Sequence, residues 1–384
     1  MGWVNDVDEG TVRALAQTRT QGQSVLSLYL DLDPAQFATA PARATEIDSL
    51  LDGAHREIEA GERPHDERQE LRAALARTRE ILDGNQGWAQ GARALALFVC
   101  QPIGLERLLR LAHPVKAAFV IADAPFIAPL AESAPAGRVC VALVDERFAR
   151  ILRGSPSRLG EAVSFGDPVH GRHKQGGWSQ ARYQRSQFED AEAHLRHVGR
   201  ALHNLLRIAR YDRLLVACTA PLWPRVLAKL HPDVRALVHP ARLPLDVSDA
   251  GIDDVTRAAE AALAEEQRAR EEAILAELRE HHARDGDGRA AVGLAGVLQA
   301  LVERRVEALL YEQGVSAAGV ICPRCRWMGV GAERCPVDGE ALEARPSMLE
   351  EAVQAAVGQS ADVLVVRDRP DLGPFGGIAA TLRF

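Results

Sequence analysis

The chain has 384 residues, 47% of them hydrophobic and 26% charged, with 46 basic against 53 acidic side chains and a net charge of −7. That length exceeds one ordinary core and predicts two or three domains; the acidic balance excludes a protein coated in basic surface for generic nucleic-acid binding, though not a local basic patch. The opening MGWVNDVDEG lacks the basic-then-apolar order of a signal peptide, and no apolar run is long enough to span a bilayer. A cytosolic protein without a membrane partner, monomeric when free, is expected.

In chain order, SVLSLYLDLD (24–33) alternates as a strand, followed by helices near 44–58 and 67–82 separated by GERPHDE, and by the strand RALALFVC. Apolar runs at 105–111 and 117–121 complete an α/β unit that ends at the proline and glycine of SAPAGR (133–138). A second segment begins with the strand VCVALVD and a hairpin into RFARILRG; Asp145-Glu146 are read as its turn, not as nuclease carboxylates. Phe188, Ala191, Leu195, Val198, Leu202, Leu205 and Ala209 recur at steps of three and four, the apolar stripe of a helix. RLLVACT, PLWPRVLAKL and VRALVH then read as strand, helix and strand, so that a mostly parallel sheet covered by helices is predicted.

A polar helix over 253–282 and the linker ARDGDGRA separate a third segment. Its helices are GLAGVLQALVERR and SMLEEAVQAAVGQ, and its strands VEALLYE, ADVLVVRD and GGIAATLRF. The predicted fold class is α/β throughout, with a divergent N-terminal α/β domain (1–135), a middle domain (136–284) and an α/β/α C-terminal domain (285–384) carrying a Cys-rich insertion at 321–342.

Of the six cysteines, Cys100, Cys140 and Cys218 sit in apolar strand-like runs, where a thiol acts as a small hydrophobe. The others are spaced C-x2-C-x9-C-x2-D: Cys322, Cys325 and Cys335, with Asp338 in the fourth place. Two such knuckles can turn their donors toward one tetrahedral ion, and a structural zinc is expected. No nearby general base suggests catalytic zinc.

The stretch HGRHKQGGWSQARYQR (170–185) raises a different chemistry. Gly176 and Gly177 let backbone approach another surface closely. Arg172, His173, Lys174, Arg182 and Arg185 favour phosphates, and Trp178 or Tyr183 can stack on a base. Arg196, Arg200, Arg207 and Arg210 lie off the apolar stripe of the following helix, and are read either as a path for acceptor-stem phosphates or as helix solubility.

This order of elements resembles the archaeal and eukaryotic class-one peptide-chain release factors and Pelota, and more closely their bacterial relatives and the eukaryotic peptidyl-tRNA hydrolases of stalled large subunits. In the release factors a Gly-Gly-Gln tip, followed by Ser-Ala and an Arg-aromatic-x-Arg run, enters the peptidyl transferase centre. Here Gly176-Gly177, Ser179 and Arg182-Tyr183-Gln184-Arg185 match, Trp178 stands in the glutamine's place, and Gln180 lies two residues on. In the hydrolase branch the glutamine is likewise displaced, after Lys-Gln-Gly-Gly as in Lys174 to Gly177. The resemblance implies an RNase H-like middle domain, a C-terminal domain like proteins that bind kinked RNA with a zinc-ribbon-like insertion, and the large ribosomal subunit, its rRNA and peptidyl-tRNA as partners. It implies ester hydrolysis during ribosome rescue, with Gln180, Gly176 and Gly177 at the reacting site and Arg172, His173, Lys174, Trp178, Ser179, Arg182 and Arg185 on RNA. The stop-codon motif Asn-Ile-Lys-Ser has no counterpart, since GERPHDE (61–67) stands in its place. The alternative is a non-catalytic hibernation or recycling factor that occupies the A site.

Overall fold

The computed structural model describes residues 5–7, 9–20, 22–33, 39–61, 63–84, 92–111, 114–132, 137–156, 158–166, 179–283, 288–366 and 371–384. The chain forms two compact units, one of Met1–Pro135 together with Arg268–Phe384, the other of Ala136–Gln267.

In the first unit, β1 (Asn5–Asp6), α1 (Glu9–Ala16), β2 (Val25–Asp31), α2 (Ala40–Ala60), α3 (His65–Gly84), β3 (Ala94–Cys100), β4 (Leu105–Leu111), β5 (Ala118–Ala122) and α4 (Ala128–Glu132) follow in order. The five strands are arranged β1-β4-β3-β2-β5 and are antiparallel except for the β1–β4 pair. Strand β3 is buried on both faces, as its unbroken apolar sequence requires. Its Leu95, Leu97 and Val99 pack with Ala74 and Leu82 of α3. Its Ala94, Ala96 and Phe98 face a core shared with residues of the chain's C-terminal part, among them Val297, Met348 and Ala352. Period-two alternation thus gives one strand two partners.

The second unit contains β6 (Val139–Val144), β7 (Phe148–Ser155), β8 (Arg158–Gly166), α5 (Ser179–Ile208), β9 (Arg213–Ala217), α6 (Trp223–Lys229), α7 (Pro232–Arg235) and the start of α8 (Ile252–Ala283). Its sheet has the order β8-β7-β6-β9. The first three strands form an antiparallel meander and only β9 runs parallel to β6, which corrects the mostly parallel sheet predicted from the sequence. Strand β8 went unpredicted because, as an exposed edge strand, it buries little beyond Leu159. The predicted strand VRALVH is α7 plus a single bridge between Leu214 and Val238; Pro232 starts a helical turn capped by His231. One sheet face packs Cys140, Ala142 and Ile151 against Leu195, Val198 and Leu202 of α5. The other packs Val141, Leu143 and Leu152 against Val255 and Ala259 of α8.

The rest of the first unit comprises β10 (Ala290–Val292), α9 (Gly293–Val302), β11 (Val306–Glu312), β12 (Gly319–Ile321), β13 (Met328–Gly329), β14 (Glu343–Arg345), α10 (Leu349–Gly358), β15 (Asp362–Val366) and β16 (Ile378–Leu382). The main sheet here runs β10-β16-β11-β15, with β11 and β15 parallel. Helices α9 and α10 cover one face, and Leu275 and Leu278 of α8 join the core on the other. Strands β13-β12-β14 form a separate small sheet that carries the cysteine insertion.

Candidate functional site

Helix α5 runs for 30 residues from Ser179. Arg172, His173, Lys174, Gly176, Gly177 and Trp178 lie outside the described residues. Ser179, Gln180 and Arg182 fall in the first helical turns, and Arg185 is exposed one turn later. The glycine segment therefore leads directly into a long helix rooted in the core by Ala191, Leu195, Val198 and Leu202.

A second set of residues, not singled out by the sequence, anchors this helix. Glu192 of α5 receives Lys229 at 2.6 Å and Arg225 at 3.1 Å, both from α6. The Lys229 ammonium foremost, and the Arg225 guanidinium against the cost of burial, hold the Glu192 carboxyl below its ordinary range. Arg225 also reaches Glu146 in the β6–β7 turn at 3.0 Å, and its guanidinium lies 4.9 Å from the centre of the Phe188 ring. At Gly199 an added Cβ would overlap the Lys229 carbonyl oxygen, so α5 and α6 approach as closely as backbones allow. Such a constellation leaves no trace in periodicity, because its members are scattered over three elements.

Asp145 acts as the turn residue read from the sequence, its Oδ1 accepting the Arg147 and Phe148 backbone N–H groups at 2.6 Å. His203 of α5 stacks on His231 with ring centres 4.0 Å apart and planes 4° from parallel, and Asp233 lies beside them. Donor atoms of this trio lie within 4.8 Å of one another. An ion cannot lie in two parallel, separated ring planes at once, so the arrangement is that of a stacked pair.

The structure brings Cys322, Cys325, Cys335 and Asp338 together, with one donor atom of each within 4.8 Å of all the others. Cys325 Sγ is 3.4 Å from Cys335 Sγ, and Cys322 Sγ is 3.6 Å from either Asp338 oxygen. Two thiolates on one tetrahedral zinc would stand about 3.8 Å apart, given Zn–S bonds near 2.3 Å, so the spacing fits. Each knuckle is built alike. The Cys325 N–H points at Cys322 Sγ and the Val337 N–H at Cys335 Sγ, both at 3.4 Å. The residue four after the first cysteine is left-handed in each, Arg326 at φ 64° and Gly339 at φ 74°. Asp338 thus occupies in the second knuckle the place Cys325 holds in the first. The Trp327 backbone N–H favours the Cys325 thiolate, but desolvation and the adjoining Cys335, Cys322 and Asp338 side chains outweigh it and push that thiol up to about 12. Four donors so placed could hold one metal ion.

Residues 125–266 match the model of bacterial archaeo-eukaryotic release factor family 10. No curated protein matches the chain. Among solved structures, the archaeal translation termination factor aRF1 is similar over 99% of each chain, at 18% identity and a TM-score of 0.27. Archaeoglobus fulgidus Pelota is similar over 65% of each chain at 20% identity and 0.31. A translation termination-like factor of RNA quality control from S. cerevisiae is similar over 76% of this chain and 79% of its own, at 12% identity and 0.41. No helix among the described residues is long and apolar enough to cross a membrane. The stretch from 125 to 266, which holds the whole β6–β9 sheet and α5, is thus the part of the chain that is similar to the bacterial archaeo-eukaryotic release factors.

Proposed function

We propose that the protein is a ribosome-associated factor that hydrolyses the ester between a nascent peptide and its tRNA, in the rescue of stalled ribosomes or large subunits. The observation that carries this reading is positional. In the stretch matching the release-factor family, Gly176-Gly177 stands one residue, Trp178, before Ser179, where a 30-residue, core-anchored helix begins. A glycine pair on a rigid stem can enter a narrow RNA-lined site, with Arg172, His173, Lys174, Arg182 and Arg185 offsetting phosphate charge and Trp178 available for stacking. The meander β8-β7-β6 with β9 added in parallel after α5 supports an RNase H-like description of the middle domain.

In this reading Gln180 orients the attacking water. A carboxamide is no general base, but it can hold water in line with the ester carbon, and backbone N–H groups at Gly176 and Gly177 can meet developing oxyanion charge. Ribosomal RNA and the tRNA ribose complete the site. The C-terminal insertion would hold zinc through Cys322, Cys325, Cys335 and Asp338; the ion would neutralise the thiolates and brace β12–β14 without open coordination.

The test is release of labelled peptide from large subunits carrying peptidyl-tRNA. Wild-type protein should release it, and Gln180→Ala and Gly177→Ala should lose most of that turnover while still binding. Tight binding without release would overturn hydrolysis and leave the second reading, a factor that occupies the A site. Trp178 in the glutamine's usual place is what favours that second reading.

A further inference from the structure

Between residues 193 and 211 the chain contains four arginines and no aspartate or glutamate. All four, Arg196, Arg200, Arg207 and Arg210, are exposed. At 100° per residue Arg196, Arg200 and Arg207 fall within an arc of about 40° on α5, opposite the buried Leu195, Val198 and Leu202, and span about 16 Å along the helix, while Arg210 lies two residues beyond the helix end at Ile208. None of the ion pairs among the described residues engages them, whereas Arg72, Arg77, Arg79, Arg225, Arg270 and Arg279 each meet a carboxylate. Solubility alone would be served by mixed signs, as on α8, whose exposed surface alternates glutamate and arginine. On a chain of net charge −7, an acid-free arginine row is a local inversion of the average.

We infer that this face of α5, continued by Arg210 just past its end, is a track for an RNA backbone, with Arg196, Arg200, Arg207 and Arg210 each taking a phosphate. The choice of RNA among polyanions rests on the ribosomal reading above; the location and number of contacts rest on the helix itself. Guanidinium forks suit phosphate oxygens, and unpaired ones need no prior ion pair broken. The row belongs to the helix that comes next in sequence after the glycine segment. It would therefore hold the stem while the tip is inserted, and it contributes positioning, not chemistry.

The test measures affinity against salt for full-length protein with two probes, a labelled RNA hairpin and purified large ribosomal subunits. Neutralising all four (R196Q, R200Q, R207Q, R210Q) should make the log–log salt slope shallower by about 3, at roughly 0.7–0.9 per phosphate. The corresponding four lysine substitutions should restore most of the slope. Removing the same charge at the scattered exposed positions Arg13, Arg107, Arg147 and Arg304 should leave it close to wild type. Circular dichroism checks that α5 stays folded.

A quadruple variant that matches wild type, or matches the scattered control, overturns the track. Arginine-dependent binding to phosphatidylserine vesicles with none to RNA overturns it as well. If wild type binds subunits and the quadruple variant binds them equally, the track fails and the ribosomal reading stands. If wild type binds the hairpin through these arginines but ignores large subunits, the track stands and the ribosomal reading fails.

Discussion

The carboxylate of Glu350, on α10, accepts the backbone N–H of Ile127 at 2.7 Å, and its second oxygen accepts that of Ala128 at 3.0 Å. A side chain from the C-terminal part thereby satisfies the orphan donors that open α4. Gln354 Nε2 steadies the same carboxylate and also donates to the Pro125 carbonyl, each at 2.9 Å. Desolvation raises Glu350 to about 7, in spite of the Ile127, Gln354 and Ala128 donors. A carboxyl raised in the folded state binds its proton more tightly than in the unfolded chain, so its contribution to stability declines as pH climbs from about 4.5 to 7. Glu350→Gln should flatten that slope in thermal unfolding followed across this window. Glu350→Ala should cost about 1–3 kcal/mol at any pH in it, by leaving buried N–H groups unmet. A pH profile unchanged by Glu350→Gln would show that another group carries it.

Arg326 adopts a left-handed backbone and places its guanidinium 2.9 Å from Asp123. Gly339, its counterpart in the second knuckle, shows which residue the backbone prefers. Both partners of the ion pair are substantially exposed, so it contributes little. Arg326→Gly should therefore raise the thermal midpoint slightly, relieving about 1 kcal/mol of strain, while Arg326→Ala keeps the strain, loses the pair and lowers it. Equal midpoints for the two variants would contradict this account.

Mass spectrometry under native conditions should find stoichiometric zinc, and chelation should loosen the 321–342 insertion in hydrogen exchange. Asp338→Cys completes a four-thiolate set and should hold zinc against a chelator that strips the wild type; Cys335→Ser should bind none. Wild type and Cys335→Ser with the same zinc content would remove the cluster from consideration as its site.

Gly199→Ala should destabilise the protein by about 1–3 kcal/mol, because the new methyl group meets backbone and not a flexible side-chain end. The helix itself would welcome alanine, so an unchanged or raised unfolding midpoint would mean that α5 and α6 can separate at no cost.

The thiols of Cys140 and Cys325 are both pushed up to about 12 and that of Cys218 to about 11, so accessibility separates them: Cys140 and Cys218 are buried and Cys325 is exposed. In metal-stripped native protein, alkylation at neutral pH should label the exposed Cys325 well before Cys140 or Cys218. Simultaneous labelling would indicate that the middle sheet opens on the same timescale.

The elements that pack by simple periodicity were legible in the chain. The stripe from Ala191 to Leu202 and the runs of β2, β3, β6 and β11 carry their burial in their own spacing. So did the knuckles, because two cysteines three apart can reach one point without help from elsewhere. Strand direction, the exposed edge strand β8 and the Glu192–Arg225–Glu146 cluster were not legible. Each depends on which distant segments meet, and local sequence records only how much surface a residue hides, not against what. Glu350 shows the difference: its sequence places it as an ordinary acid in the first turn of a helix, and only the meeting with Ile127, 223 residues away, makes it a half-buried cap. The sequence alone determined the elements buried by regular spacing and the reactive groups they carry, since those follow from steric preference and hydrophobic periodicity; the tertiary structure alone decided the exposed edge strand, the turn read as the strand VRALVH, and which groups share a charge, a proton or a face, since these depend on what meets through space.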